Sequence, residues 1–153
     1  MTRIEIIAVG RIKERFYSDA IAEYAKRLSA YVRFDITELK DESEGTAGIL
    51  DKEGERIAAK LSDKAFKAVL AIEGKMLDSE GFSTLIEEKQ NSGISHIQFV
   101  IGGSEGLSDE IKRRADMLIS FSRMTFPHQL MRLILSEQIY RAYRIMRHEP
   151  YHK

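Results

Sequence analysis

The segment FVIGGSEGLSDEIKRRADMLISFSRMTFPHQLMR, from Phe99 to Arg132, decides the fold of this chain. An apolar, β-branched run over 97–101 predicts a buried strand, and it stops at Gly102 and Gly103, where the backbone can approach a ligand closely. A second short apolar run, over 117–121, predicts another buried strand. Each predicted strand leads into a loop, so two strands point their carboxyl ends at segments suited to ligand binding.

The remainder of this segment predicts two helices. Ser108 is a suitable N-cap for a short helix, because Asp109 and Glu110 then lie in its first turn, where the helix dipole favours acids. Pro127 fits the first turn of a long helix that runs to about Met146. This last helix is apolar on more than one side, and a two-fold symmetric dimer contact would cover its second face.

Strands and helices alternate in the rest of the chain as well. Apolar runs predict strands over 4–9, 33–39 and 68–72, the second of them half-exposed and near an edge. Helical periodicity predicts helices over about 16–28, 49–61 and 79–91, with Phe16 on the inward stripe of the first and Ser79 as N-cap of the third. The acidic stretch 40–48 predicts a mobile loop. This alternation predicts an α/β fold with a mostly parallel sheet flanked by helices, in a single domain over 1–153.

Charge is balanced overall but uneven along the chain. The 153 residues include 24 Lys or Arg and 24 Asp or Glu. From Ile111 onward, however, nine basic residues face three acidic ones. This basic C-terminal part suggests a polyanionic partner, although a solvated helix face would give the same pattern.

Several classes of protein are disfavoured by the residues present. The chain has no cysteine, and its four histidines lack acids at ligand spacing, so we expect no disulfide and no metal. No signal-like segment or apolar run of membrane-spanning length occurs, which predicts a cytoplasmic protein without a membrane partner. A dinucleotide fingerprint starting at Gly102 would need glycine where Ser104 stands, and neither a phosphate loop nor a nucleophile-elbow serine is found.

Three motifs carry a resemblance to a known family. The stretches IGGSEG at 101–106, SFSRMTFPHQLMR at 120–132 and HEPYHK at 148–153 resemble those of the RlmH family of SPOUT-superfamily methyltransferases. The resemblance extends over the whole chain from the opening IEIIAVGRIKE. It implies a C-terminal trefoil knot, binding of S-adenosylmethionine, a homodimer, and methylation of N3 of a pseudouridine in bacterial 23S ribosomal RNA.

The resemblance also implies the residues that contact the methyl donor. Carried over position by position, they are Leu70, Gly102, Phe121, Ser122, Arg123, Met124, Thr125 and Phe126. We add Gly103 from its place at the end of a predicted strand. Backbone groups of these loops would hold the donor while apolar side chains supply walls, although packing in the core is the alternative explanation for the same side chains.

The acceptor nitrogen is a weak acid that must lose its proton, so a group with a pKa near neutrality is useful there. The candidates are His128 and the terminal residues Tyr151 and His152, which could also stack on an extruded base. The candidate RNA contacts are Arg132, Arg141, Arg144, Arg147, His148 and Lys153. Arg123 and Arg132 have an alternative role, as partners of carboxylates within the fold or across a dimer.

Three other functions compete with this hypothesis. A related knotted methyltransferase could act on another RNA nucleoside. A ribosome-binding assembly factor could use the basic helix without chemistry, and a generic nucleotide-binding protein is disfavoured by the failed fingerprints. Neutral net charge provides little long-range attraction to free RNA, so we expect the assembled ribosome as the substrate.

Overall fold

The computed structural model describes residues 1–152. The strands are β1 (Arg3–Val9), β2 (Arg33–Leu39), β3 (Phe66–Met76), β4 (His96–Ile101) and β5 (Met117–Ser120). The helices are α1 (Arg15–Leu28), α2 (Ile49–Ala58), α3 (Ser79–Asn91), α4 (Asp109–Arg114) and α5 (His128–Met146). None of these helices is long and apolar enough to cross a membrane.

The five strands form one sheet in the order β2-β1-β4-β3-β5, and every neighbouring pair is parallel. This confirms the predicted parallel α/β sheet and the edge position of β2. Val9 pairs with Leu39, and Ala8 pairs with Ile101. The carboxyl ends of the strands therefore meet along one side of the sheet, where α/β proteins bind ligands.

Helices cover both faces of the sheet. In β1, Ile4 and Ile6 face a cluster that includes residues of α1, α3 and α5. Ile7 and Val9 face a second cluster that includes Ile57 of α2 and Ile111 of α4. Both clusters follow from the alternation of side chains along a strand. The sheet is thus the buried middle layer of three, as expected for parallel strands.

β3 is longer than the predicted 68–72 and is interrupted. Both Leu70 and Lys75 pair with Ile119 of β5, so the residues between them bulge out of the ladder. Glycine at position 74 allows β3 to approach β5 closely here, because a Cβ at that position would lie 2.6 Å from the carbonyl carbon of Leu118. The polar Glu73-Gly74 pair looked like a strand end in the sequence, and the bulge explains why.

Some local predictions were wrong. Phe16 is 64% exposed rather than packed inward. Asp78, not Ser79, caps α3, since its side chain accepts a hydrogen bond from the backbone N–H of Gly81. Helix α2 ends at Ala58, three residues before the predicted end. The knot and the single domain stay predictions.

Candidate active site

A cavity of about 310 Å³ lies at the carboxyl ends of β3, β4 and β5. Eight of the nine residues proposed to contact a cofactor line it. They are Leu70, Gly102, Gly103, Phe121, Ser122, Met124, Thr125 and Phe126. Arg123 is the exception, because it is exposed and does not line the cavity. The volume of the cavity is at the lower end of the range of small-molecule sites.

The loop after β4 is a tight turn that only small residues allow. A Cβ on Gly102 would lie 2.5 Å from the carbonyl oxygen of Gly106. The turn is closed by a hydrogen bond that the Gly106 N–H donates to the Gly103 carbonyl oxygen at 3.1 Å. Gly106 itself has φ of 87°, a conformation that favours glycine. One wall of the cavity is therefore bare backbone.

Serine hydroxyls shape the loop between β5 and α5. The Ser120 hydroxyl donates to the Ser122 carbonyl oxygen at 3.0 Å, and the Ser122 hydroxyl accepts from the Met124 N–H at 2.9 Å. These local bonds turn the chain so that Met124 is 73% exposed and Phe126 is half-buried. An exposed thioether and an aromatic ring thus remain available to contact a ligand.

An ion pair stands at the border of the cavity. The Lys112 ammonium lies 2.7 Å from a carboxylate oxygen of Glu73, and both residues line the cavity. Their hydrogen bond holds the pKa of Glu73 below its usual range, so the carboxylate is ionised at neutral pH. Sequence reasoning missed both residues, because Glu73 lies in the bulge of β3 and no spacing relates it to Lys112.

Of the three proposed catalytic residues, His128 lines the cavity. Burial, aided by the positive charge of Arg132, lowers the pKa of the His128 imidazole below its ordinary value near 6.5. The ring is therefore neutral at pH 7 and able to accept a proton or a hydrogen bond.

The terminal residues lie elsewhere in the same chain. The Tyr151 hydroxyl donates to Glu137 at 3.0 Å, and its ring lies against Tyr140 with a centroid distance of 4.9 Å. Burial raises the pKa of Tyr151, so its hydroxyl stays protonated. His152 Nδ1 lies 3.1 Å from the Arg141 guanidinium. Neither these partners nor Tyr151 and His152 line the cavity, so the last described residues of this chain lie away from it.

Arg132 is not the surface RNA contact that was predicted. Its side chain is 1% exposed, and it donates to Glu38 at 2.6 Å and to the Gly10 carbonyl oxygen at 3.1 Å. The alternative interpretation, a carboxylate partner within the fold, describes this geometry. The spacing of arginines along a helix could not distinguish an inward from an outward position.

The other proposed RNA contacts differ in whether their side chains are paired with carboxylates or exposed. Arg141 is paired with Glu137, and Arg144 is paired with Glu149. Arg147 is exposed beside the ring of Tyr31, at 4.6 Å from the centroid, and His148 is exposed as well. Lys153 lies outside the described residues. Within residues 1–152, no group of acids and histidines is placed to hold a metal ion.

A second cavity, of about 340 Å³, adjoins the first. The two share Ile119, Ser120, Phe121 and Phe126. Its remaining lining combines apolar side chains with Asp78, which caps α3, Ser79 of α3 and Gln138 of α5. The loop after β5 thus separates two spaces that could hold two reacting molecules side by side.

These features agree with one protein family. The family model described as "Predicted SPOUT methyltransferase" matches residues 2–152. The match spans nearly the whole chain, and the five-stranded parallel sheet flanked by helices is consistent with the α/β SPOUT fold. The protein is therefore a SPOUT methyltransferase.

Its full-length relatives narrow the family further. The chain is 54% identical over 157 residues to the Ribosomal RNA large subunit methyltransferase H of Bifidobacterium animalis subsp. lactis (strain AD011). It is 55% identical over 157 residues to the protein of the same name from Bacillus pumilus (strain SAFR-032). Each alignment covers 98% of this chain and 99% of the relative. The chain belongs to the RlmH family.

Proposed function

We propose that this protein transfers a methyl group from S-adenosylmethionine to N3 of a pseudouridine in the ribosomal RNA of the large subunit. The observation that carries the proposal is that eight of nine proposed donor contacts, from three separate strand ends, line one cavity. Parallel strands bring these residues to one edge of the sheet, and there they enclose a concave space of the kind that binds small molecules.

The cavity suits the proposed donor. Bare backbone at Gly102 and Gly103 offers hydrogen-bonding groups for a heterocycle, while Leu70 and Phe126 offer apolar surface. The donor supplies an activated methyl group on a sulfonium. The residues of this chain bind and align it, and alignment is the main contribution that an enzyme makes to a direct displacement.

Proton removal from the acceptor needs a base near the donor, and a neutral imidazole suits that role. His128 is neutral at pH 7 and lies in the donor cavity, which makes it one candidate. The other candidate is His152, which would have to come from a second chain, because the tail of this chain lies against its own α5. Tyr151 keeps its proton and would serve as a hydrogen-bond donor to the base.

A homodimer completes this proposal. Leu130, Leu133 and Ile134 on α5 are only partly buried and lie outside both core clusters. A second copy packed on this face by two-fold symmetry would bury them. The partner's tail would then cover the donor cavity, and the exposed Arg147 and His148 would contact phosphates of the ribosome, in the cytoplasm.

The proposal is tested in two steps. Calorimetric titration of the purified protein with S-adenosylmethionine should show saturable binding. Incubation with the donor and ribosomes from a strain that lacks this activity should then yield methylpseudouridine, detected by mass spectrometry of nucleosides. Another methylated nucleoside would point to the related enzyme, whereas donor binding that is absent with and without ribosomes would favour the assembly factor.

A further inference from the structure

The segment 10–17, with the sequence GRIKERFY, follows β1 and begins α1, and none of the residues assigned above to the donor or to RNA lies in it. It carries three cations, Arg11, Lys13 and Arg15, against the single acid Glu14. All four of these residues are exposed. We name this segment the basic loop.

The backbone of the basic loop is fixed by residues of α5. The Arg132 guanidinium donates a hydrogen bond to the Gly10 carbonyl oxygen at 3.1 Å. The backbone N–H of Lys13 donates to Oε1 of Gln129, also at 3.1 Å. Both bonds use main-chain atoms of the loop, so its charged side chains are not needed to hold it in place. A loop that is already ordered loses little entropy when a partner binds.

The basic loop borders the cavity of the candidate active site. A Cβ on Gly10 would lie 3.5 Å from Nε2 of His128, and His128 lines the cavity. Strands β1 and β4 are parallel neighbours, so the loops that follow them leave the sheet at the same edge. Phe16 is within about 20 Å of Gly10 even for a fully extended chain. An RNA segment with one base in the cavity can therefore contact the loop through neighbouring nucleotides.

The cations of the basic loop are available to an anionic partner. Among residues 1–152, neither Arg11 nor Lys13 takes part in an ion pair. Arg15 lies 3.8 Å from Asp19, but both side chains are exposed, and such a pair contributes little. By contrast, all three arginines of α5 are ion-paired. The basic loop is therefore better suited than α5 to contact phosphates.

An exposed aromatic ring stands next to these cations. Phe16 is 64% exposed, and its ring lies 4.5 Å from that of Tyr17 between centroids. A single exposed apolar side chain needs no explanation. An aromatic ring among exposed cations, however, is the combination with which proteins bind single-stranded RNA, because bases stack on the ring while cations contact the phosphates. Protein–protein interfaces, in contrast, are depleted in lysine.

We infer that the basic loop binds single-stranded ribosomal RNA next to the modified nucleoside. Arg11 and Lys13 contact phosphates, and the Phe16 ring stacks on an unpaired base. The inference rests on the proposed function, because it takes ribosomal RNA as the substrate. It also gives the buried Arg132 a role, since this guanidinium holds the loop that contacts the RNA.

Co-sedimentation with ribosomes tests the phosphate contacts without requiring turnover. Arg11→Ala combined with Lys13→Ala should weaken binding about 10- to 100-fold at low salt. The slope of log affinity against log salt should also fall by about two, one for each lost phosphate contact. The matched control combines Lys26→Ala, at the far end of α1, with Lys64→Ala, before the amino end of β3. It also removes two exposed cations and should bind ribosomes like the unmodified protein.

Three substitutions of Phe16 test the stacking. Phe16→Ala should weaken ribosome binding about tenfold. Phe16→Tyr keeps a ring that can stack and should bind within about twofold of the unmodified protein. Phe16→Leu keeps apolar volume without a ring and should behave like Phe16→Ala. Normal binding by Phe16→Leu would assign the side chain to packing against a protein surface and would overturn the inference of stacking.

The remaining outcomes separate this inference from the proposed function. Equal ribosome binding by the Arg11 and Lys13 double variant and its control would overturn the inference, since net charge alone would then explain binding. Absence of ribosome binding by the unmodified protein would overturn it too. If the unmodified protein binds ribosomes but forms no methylpseudouridine, the proposed function fails, while the same variants still decide whether the loop binds RNA.

Discussion

At the scale of single residues, Arg132 illustrates how one buried charge depends on its partner. Its guanidinium is 1% exposed and relies on Glu38 and the Gly10 carbonyl, while Glu38 itself is 41% exposed. Glu38→Ala should cost about 3–5 kcal/mol in the free energy of unfolding, because it leaves a buried cation without a counter-charge. Arg132→Met should cost less, about 1–3 kcal/mol, because water can hydrate the remaining carboxylate. Urea denaturation checks this order, and a larger cost for Arg132→Met would contradict it.

Glu5 makes the stability of the fold depend on pH. Burial alone would raise the pKa of this carboxyl, but hydrogen bonds from Gln98 and Thr37 and the charge of Arg3 lower it below 4.5. A carboxyl whose pKa is lower in the folded state stabilises the fold above its unfolded pKa, and this contribution disappears as pH falls through the folded value.

Glu5→Gln should therefore cost about 1–3 kcal/mol at pH 7, since it disrupts buried hydrogen bonds. The difference from the unmodified protein should shrink below about pH 4.5. Denaturant unfolding at a series of pH values measures it. Glu44→Gln, at an exposed position, should differ little from the unmodified protein in unfolding free energy at every pH. If the difference for Glu5→Gln stays constant down to pH 3, the pH dependence assigned to Glu5 is wrong.

At the scale of elements, the turn after β4 is held by close backbone contact rather than by side chains. Gly102→Ala would place a methyl group 2.5 Å from the Gly106 carbonyl oxygen, so the turn itself must move. We expect a loss of about 1–3 kcal/mol in stability together with at least tenfold weaker donor binding. Ser104→Ala, at an exposed position of the same turn, should leave both nearly unchanged. Calorimetry and thermal unfolding measure the two effects, and normal donor binding by Gly102→Ala would show that the turn is not part of the site.

Element types were predictable because hydrophobic periodicity reports which face is buried. The structure has strands where they were predicted from the apolar runs at Ile4 and Ile97 and from the half-exposed pattern after Arg33. The extension of β3 past Leu70 was not predictable, because Glu73 and Gly74 are poor strand residues and the crossing depends on contact with β5. Tertiary contact overrode local propensity there.

The site was predictable only in part, and for a similar reason. The family resemblance of the loop motif predicted the residues from Phe121 to Phe126, and all of them except Arg123 line the cavity, because an uninterrupted stretch of chain shapes that loop. Glu73 and Lys112 reach the cavity from two separate elements, so no spacing in the sequence predicts this pair. Arg132 shared its helix with exposed arginines, and only packing distinguishes it from them.

At the scale of the whole molecule, the proposed site combines residues of two chains. The cavity of this chain and its residues Tyr151 and His152 are separated, since these two residues contact Glu137 and Arg141 and do not line the cavity. If the partner's tail serves the cavity, each of the two sites in a dimer uses residues of both chains. A chain with a damaged cavity can then still contribute its tail to the other site.

Complementation between two inactive variants tests this arrangement. One variant carries Gly102→Ala, and the other lacks the residues from Tyr151 onward; each homodimer should methylate ribosomes poorly. Heterodimers purified through two different affinity tags should regain about half of the unmodified turnover, because one of their two sites combines an intact cavity with an intact tail. Heterodimers with turnover well below this half would show that the tail acts on its own chain. Donor binding by the truncated homodimer is the control, and it should stay close to that of the unmodified protein because all of the proposed donor contacts lie outside the tail.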